Sequence, residues 1–139
     1  MIKCRYILYL ASFSAFLLML SNIRAMATSA GNVLSKYNVV YVTCPDMEVS
    51  KKLAGSLVEN NLAACVNIIP KITSVYKWEG KINNDEEYLL VIKSKTDAFE
   101  KLSTFVKSNH PYDVPEIISL PLQNGLKDYL DWINNEVNE

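Results

Sequence analysis

The chain has 139 residues, 50% of them hydrophobic and 21% charged, with a formal net charge of −1 and a pI of about 5.9. This composition excludes a disordered or fibrous chain, and the lack of a basic excess argues against a nucleic-acid partner. One domain is expected from the length.

No Asp or Glu occurs between Met1 and Pro45. Lys3 and Arg5 precede an uncharged apolar run over 7–20, and Ala25-Met26-Ala27 follows. A basic start, an apolar core and a small-x-small triplet are the parts of a secretory signal peptide, and the run is short against the roughly 20 residues of a membrane span. Residues 1–27 are therefore read as a signal peptide or an uncleaved signal anchor, 28–36 as a short linker and 37–137 as the folded domain. The leader points to the secretory pathway or a membrane. Met26 offers an internal start that would give a leaderless cytoplasmic form. Cys4 falls in the leader, so the domain keeps Cys44 and Cys65, which do not make a disulfide framework; both are expected as free thiols in apolar strands.

The domain opens with a strand over Asn38 to Thr43 (NVVYVT). Pro45 and Asp46 supply helix-start chemistry, and Val49, Leu53, Ala54, Leu57 and Val58 recur at helical spacing until Asn60 and Asn61 stop the helix. Leu62 to Ile69 is a second strand ended by Pro70, and Ile72 to Trp78 a third by its alternation. Glu79-Gly80-Lys81 is a turn into a polar stretch whose Glu86-Glu87 pair is read as part of a solvated hairpin. Tyr88 to Ile92 (YLLVI) is the next strand. Thr96 is expected to cap a second helix, with Phe99, Leu102 and Val106 inward. Asn109-His110-Pro111-Tyr112 ends it, Glu116 to Leu120 is the last strand, and Leu126, Tyr129, Leu130, Ile133 and Val137 mark a closing amphipathic helix.

Two strand–helix–strand halves imply parallel pairing across each helix with a hairpin meander between them. The fold class is α+β, a ferredoxin-like split βαβ sandwich with an extra C-terminal helix. An enzyme is not expected. The four glycines build no phosphate loop, and GxSxG, CxxC and HExxH are all absent.

Four stretches, VTCPD (Val42 to Asp46), LAACVNIIP (Leu62 to Pro70), SVYKWEGKI (Ser74 to Ile82) and HPYDVPEI (His110 to Ile117), stand in an order and spacing that resemble the CutA divalent-cation tolerance family. DYLDWI (Asp128 to Ile133) fits that family's closing helix, and the resemblance runs from about Tyr37 to Glu136. It implies a homotrimer of ferredoxin-like subunits, a link to copper or other divalent metals, and a likeness to PII-type signalling trimers. For animal members it implies a link to the membrane anchoring of acetylcholinesterase.

Under that resemblance Cys65 and His110 are the candidate metal ligands, a thiolate and an imidazole suited to copper. Asn109 stands where some bacterial members carry a second His. Core packing for Cys65, and contact with free carbonyls at a helix end for His110, are the competing readings. Cys44 is a possible third ligand, and Glu116 is a group that would orient His110. Tyr76, Trp78 and Tyr112 suit a subunit interface or a cleft between subunits. The function expected is a trimeric, copper- or metal-responsive binding protein. The alternatives are a scaffold for a secretory-pathway or membrane partner and a PII-like small-molecule sensor.

Overall fold

The structure, a computed structural model, describes residues 35–138; the leader and most of the linker lie outside the described residues. In chain order the elements are β1 (Tyr37–Cys44), α1 (Met47–Glu59), β2 (Cys65–Trp78), β3 (Lys81–Lys95), α2 (Phe99–Asn109), β4 (Ile117–Pro121) and α3 (Lys127–Glu136). The strands form one sheet in the order β2-β3-β1-β4. Every hydrogen-bonded pair in it is antiparallel. The expected parallel pairing is thereby corrected. Strands β1 and β2 run the same way, as do β3 and β4, but each same-direction couple is separated by an antiparallel strand. This is the split βαβ of the ferredoxin-like fold.

Helix α1 starts as expected, with Asp46 Oδ1 accepting from the Val49 N–H at 2.8 Å. Asn60 and Asn61 end it, Asn61 in the left-handed region at φ 53°. Helix α2 departs from expectation. Thr96 does not cap it; the N-cap is Ala98, which makes no side-chain bond. Thr96 instead donates its hydroxyl to the Ser35 carbonyl at 2.6 Å and its N–H to Lys36 O at 3.0 Å, tying the entry of β1 to the exit of β3.

The second and third expected strands are one. Lys71 takes φ 60° at a register shift between Ile69 and Ile72, a bulge that bends β2 without ending it. Pro70 is tolerated because β2 is an edge strand and the missing N–H faces away from the ladder. The polar stretch before Tyr88 likewise belongs to β3. With β2 it forms a two-stranded arm closed by Glu79 and Gly80, both at positive φ, the backbone of a two-residue hairpin loop.

One face of the sheet is covered by α1 and α2. Val40, Val42, Leu90 and Ile92 meet Leu53, Leu57, Leu102 and Val106 there, all buried. Helix α3 packs Ile133 and Val137 with Ala64, Ala98 and Tyr37. Leu126 and Tyr129, expected on its buried face, remain exposed. The opposite face of the sheet carries Val39 and Tyr41 of β1 in register with Leu120 and Ile118 of β4, and Ile69 of β2. Ile118 and Leu120 are each 48% exposed there. Large apolar side chains in this position are an uncovered layer in a single chain.

Candidate functional site

His110 follows the last residue of α2 in extended backbone, the conformation its neighbour Pro111 demands. Its ring lies between two backbone groups. Nδ1 accepts the Tyr112 N–H at 3.1 Å, so Nε2 carries the proton and donates to the Thr43 carbonyl at 2.8 Å. The ring also meets Tyr112 edge-on, centroids 5.0 Å apart. The result is a clasp that holds the loop after α2 against the end of β1. A metal on either nitrogen would have to displace one of these bonds. Backbone groups orient this ring, the role the sequence assigned to Glu116.

The next residue of β1, Cys44, is fully buried, and burial pushes its thiol up from 9.0 to about 11, with Glu87 and Asp46 adding to the effect against a hydrogen bond from Ser50. A thiol this hard to ionise is a poor metal ligand at neutral pH. It also predicts a pH dependence. Between about pH 9 and 11 the unfolded thiol ionises while the folded one keeps its proton. Stability is therefore intact below pH 9 and falls by about 2–3 kcal/mol as pH rises through 11. Chemical denaturation across that window is expected to show a smaller fall for Cys44→Ala than for the unsubstituted protein.

Glu86 and Glu87 do not share one environment. Glu86 is exposed, 3.8 Å from Lys71. Glu87 is 6% exposed, and the nearby Tyr112 hydroxyl has its ionisation raised by burial, then by Glu87 and Asp85. The solvated-hairpin reading therefore holds for Glu86 and is corrected for Glu87. Parity carried no signal for this, since Glu87 lies two and four residues before Leu89 and Val91, on the sheet face that α1 and α2 leave uncovered.

Cys65 is the first residue of β2, not mid-strand, and is half-buried opposite Lys93. Asn67 Nδ2 approaches its sulfur at 3.9 Å. The Tyr129 hydroxyl of α3 lies near it, and its ionisation is shifted up by burial and then by that thiol. Lys93 is buried beside it, its ammonium held by Asn67 Oδ1 and the Val91 carbonyl. Both Cys44 and Cys65 are free thiols.

Cys65 and His110 do not meet within one chain. Cys65 is opposite Lys93 on β3, whereas Thr43, which His110 holds, is opposite Leu89. Four residues of strand separate those positions, about 13 Å. Among the described residues no three His, Cys, Asp or Glu side chains converge as a metal cage. Within one chain the described residues thus do not fit a resident metal.

A cavity of about 700 Å³ lies between the arm and the loop after His110. Thr43, Tyr76, Trp78 and Glu87 form its floor and one wall; Tyr112, Asp113 and Glu116 form the other. Hydrogen bonding to Asp85 raises the Tyr76 hydroxyl to about 12.

The fold defines a ferredoxin-like α+β domain. The family model for the CutA1 divalent ion tolerance protein matches residues 38–136, and the chain belongs to that family. It is 52% identical to the Oryza sativa protein CutA 1, chloroplastic, over 101 residues, 73% of this chain and 57% of that protein. It is 42% identical to the Xenopus laevis protein CutA homolog over 98% of this chain and 89% of that one. The crystal structure of CutA1 from Oryza sativa superposes with a TM-score of 0.74 at 50% identity, covering 76% of this chain and 97% of that one. The chain thus spans little more than half the length of the rice relative.

Proposed function

We propose that this chain works as a homotrimeric, non-enzymatic divalent-cation tolerance protein that binds copper or a similar ion and takes part in the response to metal. The observation that carries the assembly is the uncovered apolar sheet face, together with Val75, Trp78 and Ile82 standing 56–67% exposed on the arm. Burying such surfaces stabilises association by roughly 25 cal/mol per Å² before entropic costs, and small domains gain most from it. The family description supports the link to divalent ions.

Cys65 and His110 are the proposed ligands. Because they lie apart in one chain, a metal held by both would take one of them from a neighbouring subunit. Residues 1–27 are proposed to direct the domain into the secretory pathway, a role that amino-terminal sequencing of the native protein tests.

Native mass spectrometry under anaerobic titration with Cu(I) tests the metal reading. About one copper per subunit is expected, lost in Cys65→Ser or His110→Ala. Unchanged copper loading in both variants would remove these residues from the site, and a metal-free protein would remove copper from the function.

A further inference from the structure

We propose that Asn124 is a self-modifying site: its side chain closes on the backbone of Gly125, releases ammonia and leaves an aspartyl or isoaspartyl residue at the entry of α3. Asn124-Gly125 is the one Asn-Gly step in the chain. It lies in the segment between β4 and α3, and both residues are exposed. Glycine carries no Cβ to shield its nitrogen from the side chain before it, and its backbone turns freely toward the carboxamide.

The surroundings leave both reacting groups free. The segment hangs between two anchors. Before it, Leu122 gives its N–H to Tyr37 O at 2.9 Å and takes the Ser35 hydroxyl on its carbonyl at 2.6 Å. After it, Leu126 O accepts the Leu130 N–H at 3.0 Å. Between them, no described residue hydrogen-bonds the Asn124 carboxamide or the Gly125 N–H. Other exposed asparagines are held. Asn60 Nδ2 donates to Ser56 O at 2.7 Å, and the N–H that follows it, on Asn61, to Val58 O at 3.0 Å. Asn109 Nδ2 donates to Phe105 O at 2.8 Å. Those bonds must break before the side chain can close, a barrier Asn124 does not face.

The step balances with water alone. Gly125 N loses its proton to solvent base and bonds to Asn124 Cγ. The Cγ–Nδ2 bond breaks, and Nδ2 takes a proton from solvent and leaves as ammonia. Water then opens the cyclic imide. Opening at Cγ gives aspartate. Opening at the backbone carbonyl gives isoaspartate, whose chain runs through Cβ and Cγ and is one methylene longer. Either product adds a negative charge.

The two products differ in what they do to α3. Aspartate places its charge two residues before the N-cap Leu126, which makes no side-chain bond, and the helix dipole favours it there. Isoaspartate lengthens a tight link. A Cβ on Gly125 would stand 3.0 Å from Leu130 Cδ2, so the Gly125 backbone lies close against that side chain. Leu130 packs on the buried cluster of Ala64, Ala98, Ile133 and Val137. The extra methylene therefore disturbs the contact that holds α3 to the domain. The site uses neither Cys65 nor His110, so it stands apart from the copper reading.

Peptide mapping by mass spectrometry of the intact chain, held at pH 8 and 37 °C, tests it. Asn124 is expected to gain about 1 Da, as oxygen replaces an NH group. It should convert about tenfold or more faster than Asn60 or Asn109, the equivalent of the hydrogen bonds those two must break. Asn124→Gln is expected to abolish the gain, because the longer side chain must close a larger ring. The same incubation in urea gives the rate of the unfolded chain, and the folded rate is expected within about tenfold of it. Hydrogen exchange across α3 should be unchanged in Asn124→Asp and faster in the aged protein. Conversion no faster than at Asn60 would overturn the proposal. A folded rate further than that below the unfolded one would also overturn it, and would mean that the fold or a second copy holds the segment. Unchanged exchange after ageing would overturn the effect on α3.

Discussion

Replacing Ile118 and Leu120 together by aspartate is expected to turn the proposed trimer into monomers that keep their secondary structure. Both side chains lie on the sheet face turned away from α1 and α2, half-exposed in the single chain. Neither belongs to the buried core of Val40, Leu57, Leu90 and Leu102, so the fold of each subunit survives. Their partners across the ladder, Tyr41 and Val39, complete one apolar patch. An unpaired carboxylate pressed into such a patch costs several kcal/mol, and a symmetric assembly repeats that cost at every interface. Association should weaken by about 1,000-fold or more, the equivalent of roughly 4 kcal/mol. Size-exclusion chromatography with light scattering reads the mass, and circular dichroism the retained fold. A trimer that persists with both aspartates present would place the subunit contact elsewhere.

Leu90→Ala is expected to be the most damaging single change in the core, at about 3–4 kcal/mol. Leu90 is fully buried in β3, one of the two strands with neighbours on both sides, and faces the helix layer. Truncation there leaves a cavity walled by two strands and two helices that cannot close on it. The cost therefore exceeds the transfer term for the lost methyl groups. Ile68 of β2, in register with Leu90 but only partly buried on the edge strand, should tolerate the same truncation at less than half that cost. Urea unfolding of the two variants at one protein concentration compares them, because a linked trimer makes midpoints depend on concentration.

Much of this architecture was legible in the chain because local signals agree with tertiary ones. The β-branched run in β1, the Asp46 cap and the Asn60-Asn61 stop each carry their own physics, and each appears where it was expected. Misreadings arose where one residue type serves two ends. Thr96 has the chemistry of a helix cap, but its hydroxyl holds the linker carbonyl of Ser35 instead, a bond across 61 positions that no local pattern reveals. Pro70 looks like a strand terminator; on an edge strand with a bulge it is only a bend. The arm showed in part, its first strand in the alternation of Ile72 to Trp78 and its turn in Glu79-Gly80-Lys81; its second strand, the polar stretch before Tyr88, has no hydrophobic alternation to display.

The site residues divide in the same way. The motifs around His110 and Cys65 marked both as chemically capable, yet pairing them required the sheet register. That register sets them four residues apart along β3. Glu87 was hidden in an acidic pair whose exposed member, Glu86, gives the pair its surface character. It borders the same cavity as Tyr112, whose N–H the His110 ring holds in the loop after α2. Lys93 and Asn67 form their pair across two strands, and spacing along the chain carries no trace of it.

Native mass spectrometry of the protein at low micromolar concentration tests the central claim most directly. The account predicts a mass of three subunits that persists on dilution. A single-subunit mass under the same conditions would contradict it, because the uncovered sheet face and the arm would then stand open to water without a partner.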